Sequence, residues 1–212
     1  KKPYDPDYSR YNTVEQVARI LPEDRQGKLF VALMDYGTYN VADLPDWDGT
    51  SIDGIRVTFH KKDLAPALEL AEQVKNKGYK VFLQPMVALS YTDAEYLELI
   101  SQANTLRPYA FYLVDSFGTM KRKDMLRFFY MIEHNLEEGI RVGFHSHNNL
   151  QLAYANAQTL ADLQSSRSLI LDSSIMGMGR GAGNLNTELF LDYLNDNAGG
   201  HYQIKPLLRA ID

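Results

Sequence analysis

The sequence contains no cysteine. Disulfides and cysteine-bound zinc sites are therefore excluded for its 212 residues. It has no uninterrupted apolar run near the roughly 18–20 residues that a membrane-spanning helix needs. The first residues, KKPYDPDYSR, are polar where a signal peptide would carry an apolar core. These absences lead to the expectation of a cytoplasmic protein with no membrane partner. A basic stripe is missing too: 22 Lys and Arg face 27 Asp and Glu, for a formal net charge of −5. That balance speaks against a nucleic-acid partner. Anionic small molecules stay open, because a local cation or arginine outweighs the overall sign at short range.

What is present is periodic. Short apolar runs rich in β-branched and aromatic residues start at Lys28 (KLFVALMD), Asp53 (DGIRVTFH), Tyr79 (YKVFLQPM), Tyr109 (YAFYLVDS), Arg141 (RVGFHSH) and Ser168 (SLILDSSIM). Their spacing is about 25–30 residues. Each run is nearly continuous, as strands buried on both faces of a parallel sheet are. Between them lie helical faces. Leu64, Ala67, Leu68, Ala71 and Val74 make one, stopped at Gly78; Met125, Phe128, Phe129, Ile132 and Leu136 make another, stopped at Gly139. A third, Tyr96, Leu99, Ile100, Ala103 and Leu106, opens with Thr92 and Glu95 in capping-box spacing. Shorter helices are predicted over Thr13–Leu21, Asn149–Leu163 and Thr187–Leu194. The aromatic residues around Tyr109–Tyr112 and Phe128–Tyr130 read as helix–strand core.

Strand and helix alternate, so the fold class is α/β with a parallel sheet. A doubly wound open sheet and a (β/α)8 barrel both satisfy that pattern. No Gly-x-Gly-x-x-Gly follows the first strand, and polar residues end several strands, which favours the barrel. About six strands are visible where a closed barrel needs eight. The expectation is a single, partial TIM-barrel domain over residues 1–212 whose N-terminal units are missing.

Three segments carry chemistry. In Gly143-Phe144-His145-Ser146-His147-Asn148-Asn149, His145 and His147 are two apart near a strand end and point to one face. At the C-terminal mouth of a parallel barrel that face binds ligands. Two imidazoles there suit a metal ion; ordinary hydrogen-bonded histidines suit the pattern as well. In Gly177–Asn184, four glycines within seven residues permit positive φ and close backbone approach. That loop brings Asn184 to an ion, or serves as a turn with Asn184 or Asn186 capping the next helix. In Asp115-Ser116-Phe117-Gly118-Thr119-Met120, a hydroxyl at a strand end meets a substrate carboxylate, or the segment is a turn before a helix. Arg56 and His60 share a strand face and are candidate substrate contacts. Asp35, Tyr36 and Gln84 end other strands as candidate pocket residues. Asp172 reads as support for the site and Glu188 as a helix-dipole partner. His134 and His201 read as surface.

Taken in order, VDSFGTM, GFHSHNNLQLAYANA and SSIMGMGRGAGNLNTE give the chain a clear likeness. It resembles the metal-dependent aldolase/lyase superfamily that includes 4-hydroxy-2-oxovalerate aldolase, hydroxymethylglutaryl-CoA lyase, isopropylmalate synthase and homocitrate synthase. The match is continuous from Leu113 to about Leu194. Asn149 stands where the synthases carry an acid, which aligns the sequence with the aldolase branch. The resemblance implies His145, His147 and Asn184 as metal ligands and Ser116 as a contact to the substrate carboxylate. It implies a divalent cation, Mn²⁺ or Mg²⁺ before Zn²⁺. The implied reaction is cleavage or formation of a C–C bond next to a 2-oxo acid through a stabilised enolate, as in 4-hydroxy-2-oxo acid to pyruvate plus aldehyde. The implied partners are the small-molecule 2-oxo acid and a dehydrogenase of the kind some such aldolases bind. An open six-strand barrel would also expose sheet edges and apolar surface, which a homodimer, a covering segment or a longer parent chain would cover. The family's first-strand Asp/Thr-x-Arg-Asp-Gly motif, with its acidic ligand and arginine, does not occur here. The catalytic base is accordingly unknown and expected outside this segment. Two other readings stand beside the aldolase: a Claisen-type acyl-CoA synthase or lyase on the same fold, and a non-catalytic metal- or partner-binding remnant.

Overall fold

A computed structural model describes residues 11–163 and 165–211. Helix α1 (Val14–Ala18) is capped by Thr13, whose side chain accepts the Gln16 N–H. It is shorter than the Thr13–Leu21 predicted from sequence. Pro22 follows, and a proline disfavours helical backbone in the residue before it. Six strands follow: β1 (Val31–Asp35), β2 (Gly54–Phe59), β3 (Lys80–Pro85), β4 (Ala110–Asp115), β5 (Arg141–Ser146) and β6 (Leu169–Leu171). They interleave with α2 (Leu64–Asn76), α3 (Asp93–Leu106), α4 (Arg122–Asn135) and α5 (Ala153–Asp162), then α6 (Thr187–Asn197) and α7 (Lys205–Ile211).

All five strand pairings are parallel and the sheet order is β1-β2-β3-β4-β5-β6. A doubly wound sheet reverses its strand order at a switch point. Here each strand lies beside its predecessor without reversal, which is barrel winding. The fold is TIM-barrel-like, with six strands in one open sheet. Among the described residues β1 and β6 each pair on one side only.

The two faces of the sheet differ in chemistry. Ile55, Val57, Phe59, Val81, Leu83, Phe111, Leu113, Val142 and Phe144 are buried with the inward stripes of α2, α3 and α4 in one large core. That is the expected fate of a strand sandwiched by crossover helices. The alternate positions form a small cluster of Phe82, Ala110, Tyr112 and Val114, with Val31, Tyr109 and Ile170 against it. Arg56 and His145 stand on this second face, the lumen of the barrel type. The capping box predicted at Thr92 and Glu95 is formed at α3. Helix α5 starts later than the Asn149 predicted. The Asn148 side chain accepts the Ala153 N–H, and Gln151 turns the chain at φ 59° before the helix can begin.

Candidate functional site

The site is assembled where β4, β5 and β6 end. β4 and β5 run in register with Val114 opposite His145 and Asp115 opposite Ser146. Two residues after His145, on the same face, His147 leaves the strand. The Asp115 carbonyl accepts its backbone N–H at 3.2 Å and sits 3.1 Å from its Nδ1. The His145 Nδ1 lies 2.9 Å from Asp172 Oδ2. The two rings are 5.1 Å apart, centroid to centroid, and nearly perpendicular at 82°. A carbonyl only accepts, so His147 carries a hydrogen on Nδ1, which in the neutral ring leaves the lone pair on Nε2. The carboxylate of Asp172 imposes the same arrangement on His145.

The glycine-rich loop is folded onto this pair. Gly177, Gly181 and Gly183 take φ of 63°, 65° and 84°, as their sequence predicts. Gly179 is needed for another reason: a Cβ there would collide with the Asn184 side chain. The Gly183 carbonyl accepts the Asn148 N–H at 2.8 Å, and Asn184 bridges to His147 in antiparallel fashion. The Asn184 carboxamide nitrogen donates to the Met178 carbonyl at 3.1 Å. That fixes which end of the amide is oxygen, and this oxygen is buried without a hydrogen-bond partner. Glu188 ties the loop to α6, accepting the Met176 N–H at 3.0 Å.

Behind His145 lies a charged network. Arg56 donates to both Asp172 oxygens, at 2.7 and 2.5 Å, and to the Tyr112 hydroxyl at 2.8 Å. Burial pushes the Asp172 carboxyl up, but the hydrogen bonds and charges of His145 and Arg56 overcome it and hold the group below its usual value. Burial likewise works against the Arg56 charge, and Asp172 more than restores it. The Tyr112 hydroxyl is pushed well above its ordinary value, by burial first and by the Asp172 charge next. Arg56, His145, Asp172, Ser173 and Asn184 line one cavity of about 190 Å³.

The sequence-derived candidates are thus sorted. His145, Asn184 and Arg56 share a cavity; His147 is outside its lining, with its ring 5.1 Å from that of His145 and its backbone bridged to Asn184. Ser116 lies one residue past Asp115; its Oγ accepts the Val87 N–H at 2.8 Å, which leaves its own hydrogen free to donate. His60 is exposed, begins a short 3-10 turn and is outside the cavity lining. Asp35 accepts the Thr58 hydroxyl and borders a separate groove beside β1. Gln84 is buried. Tyr112, read from sequence as plain core, belongs to the site's network. The available signal is its phase: Ala110, Tyr112 and Val114 alternate with Phe111 and Leu113, so Tyr112 faces the lumen with Arg56.

Among the described residues no three His, Cys, Asp or Glu side chains gather into a metal shell. The donor set is two imidazoles and a carboxamide oxygen. It fits a divalent cation on two observations: both Nδ1 atoms are engaged, and the Asn184 oxygen is buried without a partner.

A family model described as HMGL-like matches residues 58–205. The chain belongs to the HMGL-like family. It is 27% identical over 190 residues to a 4-hydroxy-2-oxovalerate aldolase of Geobacillus stearothermophilus, covering 88% of this chain and 53% of that protein. It is 28% identical over 167 residues to an oxaloacetate decarboxylase of Mycobacterium tuberculosis, covering 79% of this chain and 48% of that protein. The chain therefore spans about half the length of these relatives. Among solved structures it superimposes on a hydroxymethylglutaryl-CoA lyase of Bacillus subtilis with a TM-score of 0.69 at 16% identity, over 89% of this chain and 70% of that one. That likeness supports the fold of this HMGL-like chain. No helix among the described residues is long and apolar enough to cross a membrane.

Proposed function

We propose that this chain supplies most of the metal centre of a divalent-metal-dependent lyase that cleaves, or forms, a C–C bond next to a 2-oxo acid. The product pair is of the pyruvate-plus-aldehyde type. The observation that carries the reading is the shared state of His145 and His147. Each has its Nδ1 engaged by an acceptor of the protein, beside the buried, unpartnered oxygen of Asn184. The aldolase names among the relatives support the substrate class.

His145 and His147 would hold the ion through Nε2, with Asn184 through its oxygen. Nitrogen and oxygen donors with further positions left to solvent suit Mn²⁺ or Mg²⁺, and zinc accepts the same types. A bound cation supplies Lewis-acid stabilisation of the negative charge that develops on the substrate oxygen as the C–C bond breaks. Ser116 donates its free hydroxyl hydrogen to the substrate carboxylate and so orients the 2-oxo acid. The cavity of about 190 Å³ between Arg56 and Asn184 gives the substrate room beside these groups. The proton leaving the substrate hydroxyl goes to a base from outside this segment. The domain is proposed to be one partial barrel over residues 1–212. A homodimer and a dehydrogenase partner stay within the proposal as associations of the whole protein.

The test is direct. Protein stripped with EDTA is titrated with Mn²⁺ and followed by electron paramagnetic resonance. Pyruvate release from a 4-hydroxy-2-oxo acid is assayed before and after. Saturable Mn²⁺ binding with metal-restored pyruvate release is expected. Full pyruvate release after exhaustive chelation would overturn the mechanism. The relative named as a decarboxylase favours a second reading, in which CO₂ leaves oxaloacetate and the same enolate remains. Faster CO₂ release from oxaloacetate than aldehyde release would select it. Release of free CoA from an acyl-CoA would select the Claisen-type alternative.

A further inference from the structure

We infer that Asp172, clamped by Arg56 and Tyr112, is a positioning residue that fixes the His145 ring as its Nδ1–H tautomer and presents Nε2 to the cation. The inference rests on the reading of His145 as a ligand and extends it to residues that touch neither metal nor substrate.

The geometry is unusually complete on one side. Asp172 Oδ1 accepts from Arg56 at 2.5 Å and faces the Tyr112 hydroxyl at 3.3 Å. Its Oδ2 accepts from Arg56 at 2.7 Å and meets His145 Nδ1 at 2.9 Å. The backbone is held as well, since Asp172 N–H donates to the Phe144 carbonyl at 3.0 Å. The carboxylate thus has no freedom to rotate away from the imidazole. The clamp also reaches far: Arg56 is on β2 and Asp172 just beyond β6, strands that are not neighbours in the sheet. It crosses the lumen, and Arg56 packs 5.1 Å over the Tyr112 ring on the way.

Stability alone is a poor reason for such a pair. The Asp172 and Arg56 side chains are 12% and 20% exposed, and a buried ion pair repays its desolvation only in part. A well-packed apolar pair would hold the lumen as firmly. What an apolar pair lacks is a fixed acceptor for His145. Arginine, not lysine, meets the requirement because its planar fork grips both carboxylate oxygens at once. With both terminal nitrogens committed, Arg56 keeps only Nε without a partner. A role as the main anchor for a substrate carboxylate would need the fork that Asp172 already occupies.

The site contains its own control. His147 takes its acceptor from the Asp115 backbone carbonyl, which no substitution at position 172 alters. In metal-stripped wild-type protein at alkaline pH, long-range ¹H–¹⁵N correlation should show both imidazoles as Nδ1–H tautomers. In Asp172→Asn, whose amide can donate as readily as accept, His145 should shift toward a mixture while His147 stays unchanged. Mn²⁺ affinity should fall roughly 10–100-fold, the usual cost of losing such an outer partner. Tyr112→Phe removes one hydroxyl and little volume. It should move His145 the same way by less, and it serves as the readout if Asp172→Asn does not fold. Wild-type Mn²⁺ binding with no His145 shift and no loss of affinity in these variants overturns the inference alone. Nδ1–H tautomers in a wild-type protein that binds no Mn²⁺ overturn the ligand reading, and the inference with it.

Discussion

The Tyr112 ring occupies the space that a side chain at Gly143 would fill. A Cβ built on Gly143 falls inside the contact distance of three ring atoms. The two residues are register partners on β4 and β5, facing the lumen. Gly143 therefore lets the tyrosine lie across the neighbouring strand and reach Arg56. Gly143→Ala should displace the ring, cost about 1–3 kcal/mol as overpacking does, and weaken the hold on Asp172. Urea unfolding measures the first effect and Mn²⁺ titration the second. A variant of unchanged stability and unchanged Mn²⁺ affinity would remove Gly143 from the account.

The capping box of α3 gives a prediction with a pH sign. Glu95 is lowered to about 2 by the Lys61 ammonium first and by the Thr92 backbone and hydroxyl next. A depressed acid stabilises the fold above its unfolded value of 4.5, and that contribution is lost as pH falls through about 2. Stability should therefore decline between those values, and the decline should shrink in Glu95→Gln. Thr92→Ala should cost about 1 kcal/mol at neutral pH through the lost cap. Thermal unfolding of the three proteins across acid pH tests both statements.

This capping box was legible from Thr92 and Glu95 alone, as were six strands and three long helices. Local periodicity fixes those elements, because each must bury one face. The His-x-His pair and the glycine-rich loop were legible for the same kind of reason: short spacings put groups on one face or permit positive φ. The Arg56–Asp172 clamp was not. Its members are 116 positions apart, and only the winding of the open sheet, which puts β2 and the end of β6 on one face, brings them together. Arg56 stands in the sequence as a candidate substrate contact, and a single sequence shows its charge without the Asp172 partner. His60 follows Phe59, the last residue of β2, so two-residue alternation no longer sets where its side chain points.

Tyr96 makes the opposite case, a polar group with no use for its polarity. It is fully buried, in edge contact with Phe128 at 4.6 Å and Phe111 at 6.0 Å. Its hydroxyl has no hydrogen-bond partner in the structure. Burying an unsatisfied hydroxyl costs on the order of 1–3 kcal/mol. Tyr96→Phe keeps the ring contacts and removes that cost, so the midpoint of thermal unfolding should rise or hold. A loss of more than about 1 kcal/mol, a typical net worth of one hydrogen bond, would show that the hydroxyl is satisfied in solution.

Asp115 sets two effects against each other. Burial raises its carboxyl, while the amides of Met120, Thr119 and Gly118 and the nearby His147 pull it back only in part. A raised acid favours its protonated form in the fold, so its contribution to stability fades as pH rises through the folded value. On that ground a neutral amide at position 115 looks harmless. The hydrogen bonds argue otherwise. One oxygen accepts the Thr119 N–H at 3.0 Å and the other accepts the Met120 N–H at 3.1 Å. An asparagine side chain has a single acceptor oxygen, so Asp115→Asn sets an NH₂ against a backbone N–H and leaves a buried donor unpaired. The geometric effect should win, at about 1–3 kcal/mol. Because Gly118 in this turn packs against the backbone of His147 and Asn149, the damage should reach the site. Urea unfolding at neutral pH should show the lower stability, with weaker Mn²⁺ binding beside it. An Asp115→Asn variant as stable as the wild type would mean that burial of the charge outweighs both amide bonds.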